Sequence, residues 1–529
     1  MPVDALVIGA GHNGLAAAAY LARAGLRTLV LERRPRVGGA CVTEELWPGF
    51  RVSRAAYVVG LLRPAIVREL SLHAHGLRLL ARDPASFTPL PDGRSLLLGP
   101  DLAASCAEIR RFSARDAERF PAYEALLDRT ARTFEPLLDV PPPDPARPRL
   151  RDLGPLLRVL RGARRLGADL PQALRLLLGA ARPVLEAWFE SEPLLATLAT
   201  DAVIGAWAAP STPGTGYVLF HHVMGETQGA RGVWAYAKGG MGSISEALAA
   251  AARAGGAEIR TDCAVERVAL RNGRAVGAVL ADGEVVEAGT VVSNADPQRT
   301  LLGLVERGAL SESLVRELEA LDFRSPSLKI NVALARLPRF AARGGGGVGP
   351  HHVGTIHVGA TDLDALERSF DAARAGRLPE RPMVELTLPS VLDPGLAPPG
   401  RHVASLFVQH VPARLDGASW DAVRDRFADR VFALVDEVAP GFSDSVLERE
   451  VLAPPDLERI FGLTGGNLFH GAMSLDRLLF LRPLPGWSSY RTASPGLYLC
   501  GAGTHPGGGV MGACGRNAAR EVLRDLRGR

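Results

Sequence analysis

The glycines at positions 9, 11 and 14 stand where backbone, not side chain, would do the binding. Gly9-Ala10-Gly11-His12-Asn13-Gly14 follows the short apolar strand-like run Ala5-Leu6-Val7-Ile8. It precedes an Ala-rich helical stretch, Leu15 to Arg23, closed by Gly25. In that setting Gly9 permits a tight turn, Gly11 lets the backbone approach a pyrophosphate, and Gly14 allows close helix–strand packing. The helix start adds free N–H groups and partial positive charge for the diphosphate. Thr28 to Leu31 reads as the next strand, and Glu32 at its end is placed to accept hydrogen bonds from ribose hydroxyls while repelling a ribose phosphate. The chemistry implied is dinucleotide binding.

Arg33 to Val37 then lead to Gly38-Gly39, a pair that a plain NAD domain does not require. The extended pattern resembles that of FAD enzymes related to glutathione reductase in their cofactor half. The far end of the chain supplies a matching piece. Leu497 to Cys500 reads as a strand, and a loop crowded with Gly501, Gly503, Gly507, Gly508 and Gly509 leads into a helix that begins near Met511-Gly512 and runs through Leu526. Reduced flavin carries negative charge around N1 and the C2 carbonyl, which N–H donors at a second helix start stabilise. Gly512 is expected to let that helix end approach the ring. Val265 sits in a β segment of the kind that reaches adenine through its backbone, and Ser293 to Pro297 form a strand exit returning to the cofactor domain. The cofactor is therefore expected to be FAD, held by Gly9, Gly11, Gly14, Glu32, Arg33, Gly38, Gly39, Val265, Gly501, Gly503, Met511 and Gly512.

His505, in the loop expected beneath the flavin, is the candidate catalytic group; a histidine that caps the loop is the competing reading. Arg54 and Tyr57 follow the glycine pair and are candidates for the substrate face of the ring. His221 and His222 are adjacent, so on a strand they would face opposite ways and make a poor metal pair. His470 has no assignable role. No metal site is expected. The five cysteines are scattered without a C-x-x-C, which leaves out a metal knuckle or dithiol motif and fits a reducing compartment. Neither lysine, Lys238 or Lys329, is followed by Ser or Thr, so no P-loop exists, and no G-x-S-x-G or H-E-x-x-H is present.

These residues need several elements to position them. The 529 residues exceed a single core. Cofactor-binding segments are expected at 1–75, 231–300 and 486–529, with a helical substrate insertion at 76–230 and a substrate domain at 301–485. The fold class is α/β: a Rossmann-type FAD-binding domain joined to a discontinuous α+β substrate domain. Pro141 to Pro145 form a stiff break in the helical region. Beyond it Leu153, Leu156, Leu157 and Leu160 recur at helical spacing, with Arg158, Arg161, Arg164 and Arg165 mostly off that stripe. This reads either as a basic amphipathic helix lying on a membrane or as a lid helix packed on its own domain. From Ala257 the texture is β, with turns at Asn272-Gly273 and Asp282-Gly283. Gly344 to Gly347 read as a flexible loop. A net charge of +4 argues neither for nor against a polyanionic partner, and no basic run interleaved with aromatics points to nucleic acid, so none is expected. The motif begins almost at the first residue, so no signal peptide is read, and no stretch of 18 apolar residues appears. A cytoplasmic location is expected, with peripheral membrane contact the alternative.

With these pieces assembled, the chain resembles the phytoene desaturase superfamily of FAD-dependent, amine-oxidase-like enzymes. Within it, the resemblance is to the branch called pyridine nucleotide-disulfide oxidoreductase domain-containing protein 2. The match rests on Val7 to Gly14, Glu32 to Gly39, Lys238 to Gly242, Val292 to Pro297, Gly462 to Ser474 and Gly501 to Gly515. A disulfide reductase would need a paired thiol and a second dinucleotide unit, and the sequence shows neither; Gly344 to Gly349 has the letters, but Pro350-His351-His352 follows. The resemblance implies an FAD-dependent oxidoreductase that dehydrogenates or isomerises a small apolar substrate, a polyene being one case, by hydride transfer to flavin N5. Electrons would leave to oxygen, a quinone or another protein, or, in isomerisation, not leave at all. The alternatives are a carotenoid desaturase or ketolase, and a flavin-bound regulatory protein.

Overall fold

The structure is a computed structural model describing residues 2–146, 148–227, 230–344 and 347–528. The opening apolar run forms strand Val3–Ile8, with Leu6 and Val7 fully buried between two parallel neighbours, Thr28–Leu31 and Val285–Ser293. A strand covered on both faces reads as continuous rather than alternating hydrophobicity. Helix His12–Arg23 carries Ala16 to Ala19 in succession, and these small side chains let helices Gly242–Ala254 and Ala513–Arg527 both pack on it. Where the closing helix crosses the first, a Cβ on Gly515 would lie 1.9 Å from the Asn13 carbonyl oxygen, so only glycine fits.

Strand Val285–Ser293 is the seam of this seven-stranded sheet. Its first half pairs antiparallel with Arg274–Leu280, and its second half pairs parallel with Leu497–Leu499. The expected turn at Asn272-Gly273 forms, both residues having positive φ as a tight hairpin requires. Segments near residues 3, 290 and 498 thus share one sheet.

A second seven-stranded sheet runs in the order Val446–Leu452, Ser327–Leu334, His402–Gln409, Val384–Thr387, Thr355–Val358, Ser86–Pro89, Ser95–Leu98. On one face Ile330, Leu406, Leu386 and Ile356 pack with Phe427 and Val431 of helix Trp420–Asp436. The other face differs: the register aligns Lys329, Phe407, Glu385 and His357 as a cross-strand row. Alternation between the two faces follows from the period of two along each strand.

Helices between Leu102 and Val223 form a third layer around Phe120, Tyr123, Leu195 and Phe220. Ser113 caps helix Ala114–Phe134 by accepting the Asp116 amide, and the buried Asp116 carboxylate accepts the amides of Glu190 and Ser191 at 2.9 Å. The helix read either as lying on a membrane or as a lid packed on its own domain does contact helix Ala114–Phe134, but not through its leucine stripe. Helix Leu153–Leu166 forms, but Leu153, Leu156, Leu157 and Leu160 stay 53, 44, 48 and 50% exposed. It instead turns Gly162 toward Thr133, where a Cβ would sit 2.7 Å from a methyl group. His221 and His222 lie on helix Thr215–Val223, not on a strand, and both are buried. Part of the Gly344 to Gly347 loop lies outside the described residues; beyond it Pro350–His352 is a single short turn, and the next α-helix is Leu363–Arg374. No helix among the described residues is long and apolar enough to cross a membrane.

Candidate active site

One cavity of about 780 Å³ runs from the N-terminal glycine turn to the second sheet and the helical layer. At its first end the wall holds Gly9, Gly11, Glu32, Arg33, Gly38, Gly39 and Val265. Gly9 has φ +91°, and Gly11 bridges to Gly38, whose amide donates to the Ala10 carbonyl at 2.8 Å. Glu32 is fastened by backbone donors, accepting from the Ala10 amide at 2.8 Å and from the Arg34 amide at 3.0 Å. A carboxylate has further lone pairs, which leaves acceptors for ribose hydroxyls. Gly14 stands behind the wall, where a Cβ would be 2.2 Å from the Gly9 carbonyl oxygen, the close packing expected of it. Asn294 is a contributor that sequence reasoning did not single out. It lies where a Cβ on Gly11 would meet its amide nitrogen at 2.5 Å, and it lines the cavity itself.

The C-terminal loop reaches the same cavity, but through Ala502, Gly509 and Val510. Gly501, Gly503, Met511 and Gly512 do not line it. Gly501 and Gly503 accommodate the Asn294 carbonyl and the Pro297 ring, and Gly512, with φ +72°, caps the closing helix beside Ile66. Gly512, expected to approach the ring, lies outside the cavity lining, and a Cβ there would meet Ile66 at 2.9 Å. His505 is likewise turned away from the cavity. Its Nε2 meets the Leu137 carbonyl at 2.8 Å, its own carbonyl accepts the Tyr490 hydroxyl, and burial pushes its pKa down to about 4. It serves the loop. Behind the loop Arg482, 2% exposed, donates to the carbonyls of Phe469, Ala472 and Ala502 at 2.6, 2.9 and 2.8 Å. It ties the Gly462 to Ser474 run to the glycine loop, and burial without a carboxylate partner lowers its pKa to about 10.

At the other end, Tyr57 lines the cavity, stacks on Phe407 at 5.6 Å and donates its hydroxyl to Glu385. Arg54 does not reach it. The guanidinium bonds to Glu44 at 2.7 Å and Glu450 at 2.6 Å, making a strut between the cofactor domain and the second sheet, and this replaces the substrate role expected for it. Arg82, Glu124, Asp201, His222, His357 and Glu385 complete this end, and none was singled out from sequence except His222. Burial raises Glu385 and Asp201 to about 7 each; burial and then the neighbouring Asp201 raise Glu124 to about 7. For His357 and Glu385 the available signal was the alternation within strands Thr355–Val358 and Val384–Thr387, which sets both on one face; Arg82, Glu124 and Asp201 lie outside those strands and had no such signal.

These residues fit FAD. A turn in which side chains are excluded borders an elongated cavity, a helix begins at its wall, and His12 Nε2 and His470 Nδ1 are buried there without hydrogen-bond partners. The five cysteines are all free, and no cluster suited to a metal ion occurs among the described residues. The model of the flavin-containing amine oxidoreductase family matches residues 14–523, and the chain belongs to that family. It is an FAD-dependent oxidoreductase. It is 52% identical, over 99% of its length and 94% of the relative's, to pyridine nucleotide-disulfide oxidoreductase domain-containing protein 2 of Mus musculus. It is 25% identical to the lycopene-forming phytoene desaturase of a Paracoccus species, covering 99% of this chain and 97% of that one. Among solved structures, cyclohexylamine oxidase from Brevibacterium oxydans superposes with a TM-score of 0.59 at 16% identity, covering 100% of both chains.

Proposed function

We propose that this flavoenzyme dehydrogenates or isomerises a largely apolar substrate, a polyene among the candidates, held between the cofactor domain and the second sheet. One observation carries the reading: the glycine turn and the distal sheet face line one continuous cavity, so a molecule held at the distal end lies beside the cofactor's place. Bound FAD supplies a hydride acceptor. The chain's own part is to hold the dinucleotide with Glu32 and the glycine turn and to exclude water with Phe120, Leu198, Ile204 and Phe407. Electrons then pass to oxygen or a quinone, or return to the product in an isomerisation. The desaturase among its relatives supports C–H chemistry on an apolar chain. Anaerobic incubation of the yellow holoprotein with lipid extract should bleach the flavin and change one component by desaturation or double-bond shift. A flavin that no extract bleaches, and that oxygen and quinones do not reoxidise after photoreduction, would favour a regulatory flavoprotein instead.

The exposed leucine stripe favours one partner as well: an anionic lipid surface. Leu153, Leu156, Leu157 and Leu160 present their side chains to solvent on a helix that also exposes Arg158, Arg161, Arg164 and Arg165. Exposed leucines that would enter the acyl boundary, beside arginines that would meet anionic head groups, together describe interfacial binding. The protein should float with anionic vesicles at low salt, and Leu153→Ser with Leu157→Ser should abolish this. Concentration-dependent dimerisation lost in the same variant would reassign the face to a second copy.

A further inference from the structure

The distal end of the cavity is not apolar, and its polar groups do not satisfy one another. Arg82 is 3% exposed and makes no ion pair among the described residues. Its Nη1 donates to Thr355 Oγ1 at 2.7 Å, and its guanidinium lies 5.4 Å from the centre of the Tyr236 ring. The Asp201 and Glu124 side chains line the cavity with no hydrogen bond or ion pair among the described residues, and both residues keep accessible surface. Glu385 spends one oxygen on the Tyr57 hydroxyl. Each of the three carboxyls is raised by burial, while the charge of Arg82 draws Asp201 and Glu385 back toward ionisation. A donor and several acceptors therefore face a shared space.

Four kinds of ligand end can be compared by charge and hydrogen-bonding capacity. A hydrocarbon leaves every one of these groups unpaired. A carboxylate suits Arg82 but brings no donor to the three carboxyls and is repelled by each of them that is ionised. An ammonium suits the carboxyls but is repelled by Arg82 and offers it no acceptor. A hydroxyl accepts from the one and donates to the other without adding charge.

We propose that the distal end is a hydroxyl-recognition site, and that the substrate is an amphiphile whose hydroxyl accepts from Arg82 and donates to Asp201, with Glu385, oriented by Tyr57, as the second acceptor. This rests on the reading that the cavity is the substrate's, and it names the head group that reading leaves open. Phe407 and the apolar residues of the helical layer take the chain of the molecule.

The test is calorimetric titration of the FAD-loaded protein with decan-1-ol, its isomer 1-methoxynonane, decylamine and decanoate. The alcohol should bind at least about tenfold more tightly than the other three, because the ether lacks the donor and the ions carry the wrong charge for half the site. Arg82→Met should weaken the alcohol and the ether alike, since both oxygens accept from it, whereas Asp201→Leu, which removes the acceptor, should weaken the alcohol about tenfold and leave the ether unchanged. Flavin absorbance and melting of each variant report its folding, and the alcohol-to-ether ratio of the unaltered protein stands without them. Equal affinity for alcohol and ether, preference for amine or carboxylate, or no binding of the alcohol overturns the proposal. A protein that prefers the alcohol but is bleached by no extract loses the redox reading alone; one bleached by a hydrocarbon with no preference for the alcohol loses the head group alone.

Discussion

Replacing Arg482 by methionine tests how the cofactor loop is held. The side chain is deeply buried and gives its donors to backbone carbonyls of two segments, Phe469 to Ala472 and Ala502 to Thr504. Hydrogen bonds to a charged group contribute roughly 1.5–3 kcal/mol each, so losing those at 2.6, 2.8 and 2.9 Å costs about 6 kcal/mol. Against this stands the burial of the charge. A fall from 12.5 to about 10 corresponds to about 3.5 kcal/mol at roughly 1.4 kcal/mol per unit. The net loss is about 2.5 kcal/mol, or about 2 °C in melting temperature at the unfolding entropy typical of a chain this long. Because Phe469, His470 and Ala502 line the cavity, flavin should also be released more readily on dilution. Arg482→Lys sharpens the test: it keeps the buried charge and loses the fork, so it should melt no higher than the methionine variant. Thermal unfolding followed by circular dichroism and by flavin fluorescence reads both quantities. A methionine variant melting within about half a degree of the parent, or a lysine variant restoring it, would refute the clamp.

Gly515→Ala should abolish or weaken flavin retention by at least about tenfold, because its Cβ would lie 1.9 Å from the Asn13 carbonyl, while Gly303→Ala, with open space around it, should not; flavin content after gel filtration decides. Asp201 and Glu385 rise from 3.8 and 4.5 to about 7, so the folded protein keeps protons that the unfolded chain has released, and their contribution to stability declines as pH rises from about 4 to about 7. The buried His221 and His222, lowered to about 3 and about 4, act in the opposite direction, their stability being lost as pH falls below 6.5. Asp201→Asn with Glu385→Gln should therefore raise the melting temperature relative to the parent more at about pH 8 than at about pH 5; a difference that is flat or reversed counts against folded-state protonation.

The cofactor half was legible because backbone geometry restricts residue type. Gly9, Gly14 and Gly38-Gly39 occupy conformations or contacts that other residues refuse, so their spacing carries the turn with it. The C-terminal loop was legible as a loop but not in orientation. A run of glycines marks crowding without saying from which side, and it was Ala502, Gly509 and Val510 that faced the cavity. Arg482 left no local trace, since its partners are carbonyls whose identity does not depend on side chain. The Lys329, Phe407, Glu385, His357 row arises from pairing strands more than fifty residues apart in some cases, and only alternation within each strand hints at it. The leucines at 153–160 were read correctly as a helix face; what covers that face depends on neighbours, which a helical period does not specify.

The seam strand Val285–Ser293 has a consequence for biogenesis. Its last parallel partner, Leu497–Leu499, and the helix that seats Gly515 on the opening turn emerge from the ribosome long after residues 3–31. At about 5–20 residues per second the nascent glycine turn waits roughly 25–100 s for them. Until then the cavity lacks the wall made by Ala502, Gly509 and Val510, so a chain cut short before that strand should hold flavin less well than the full one.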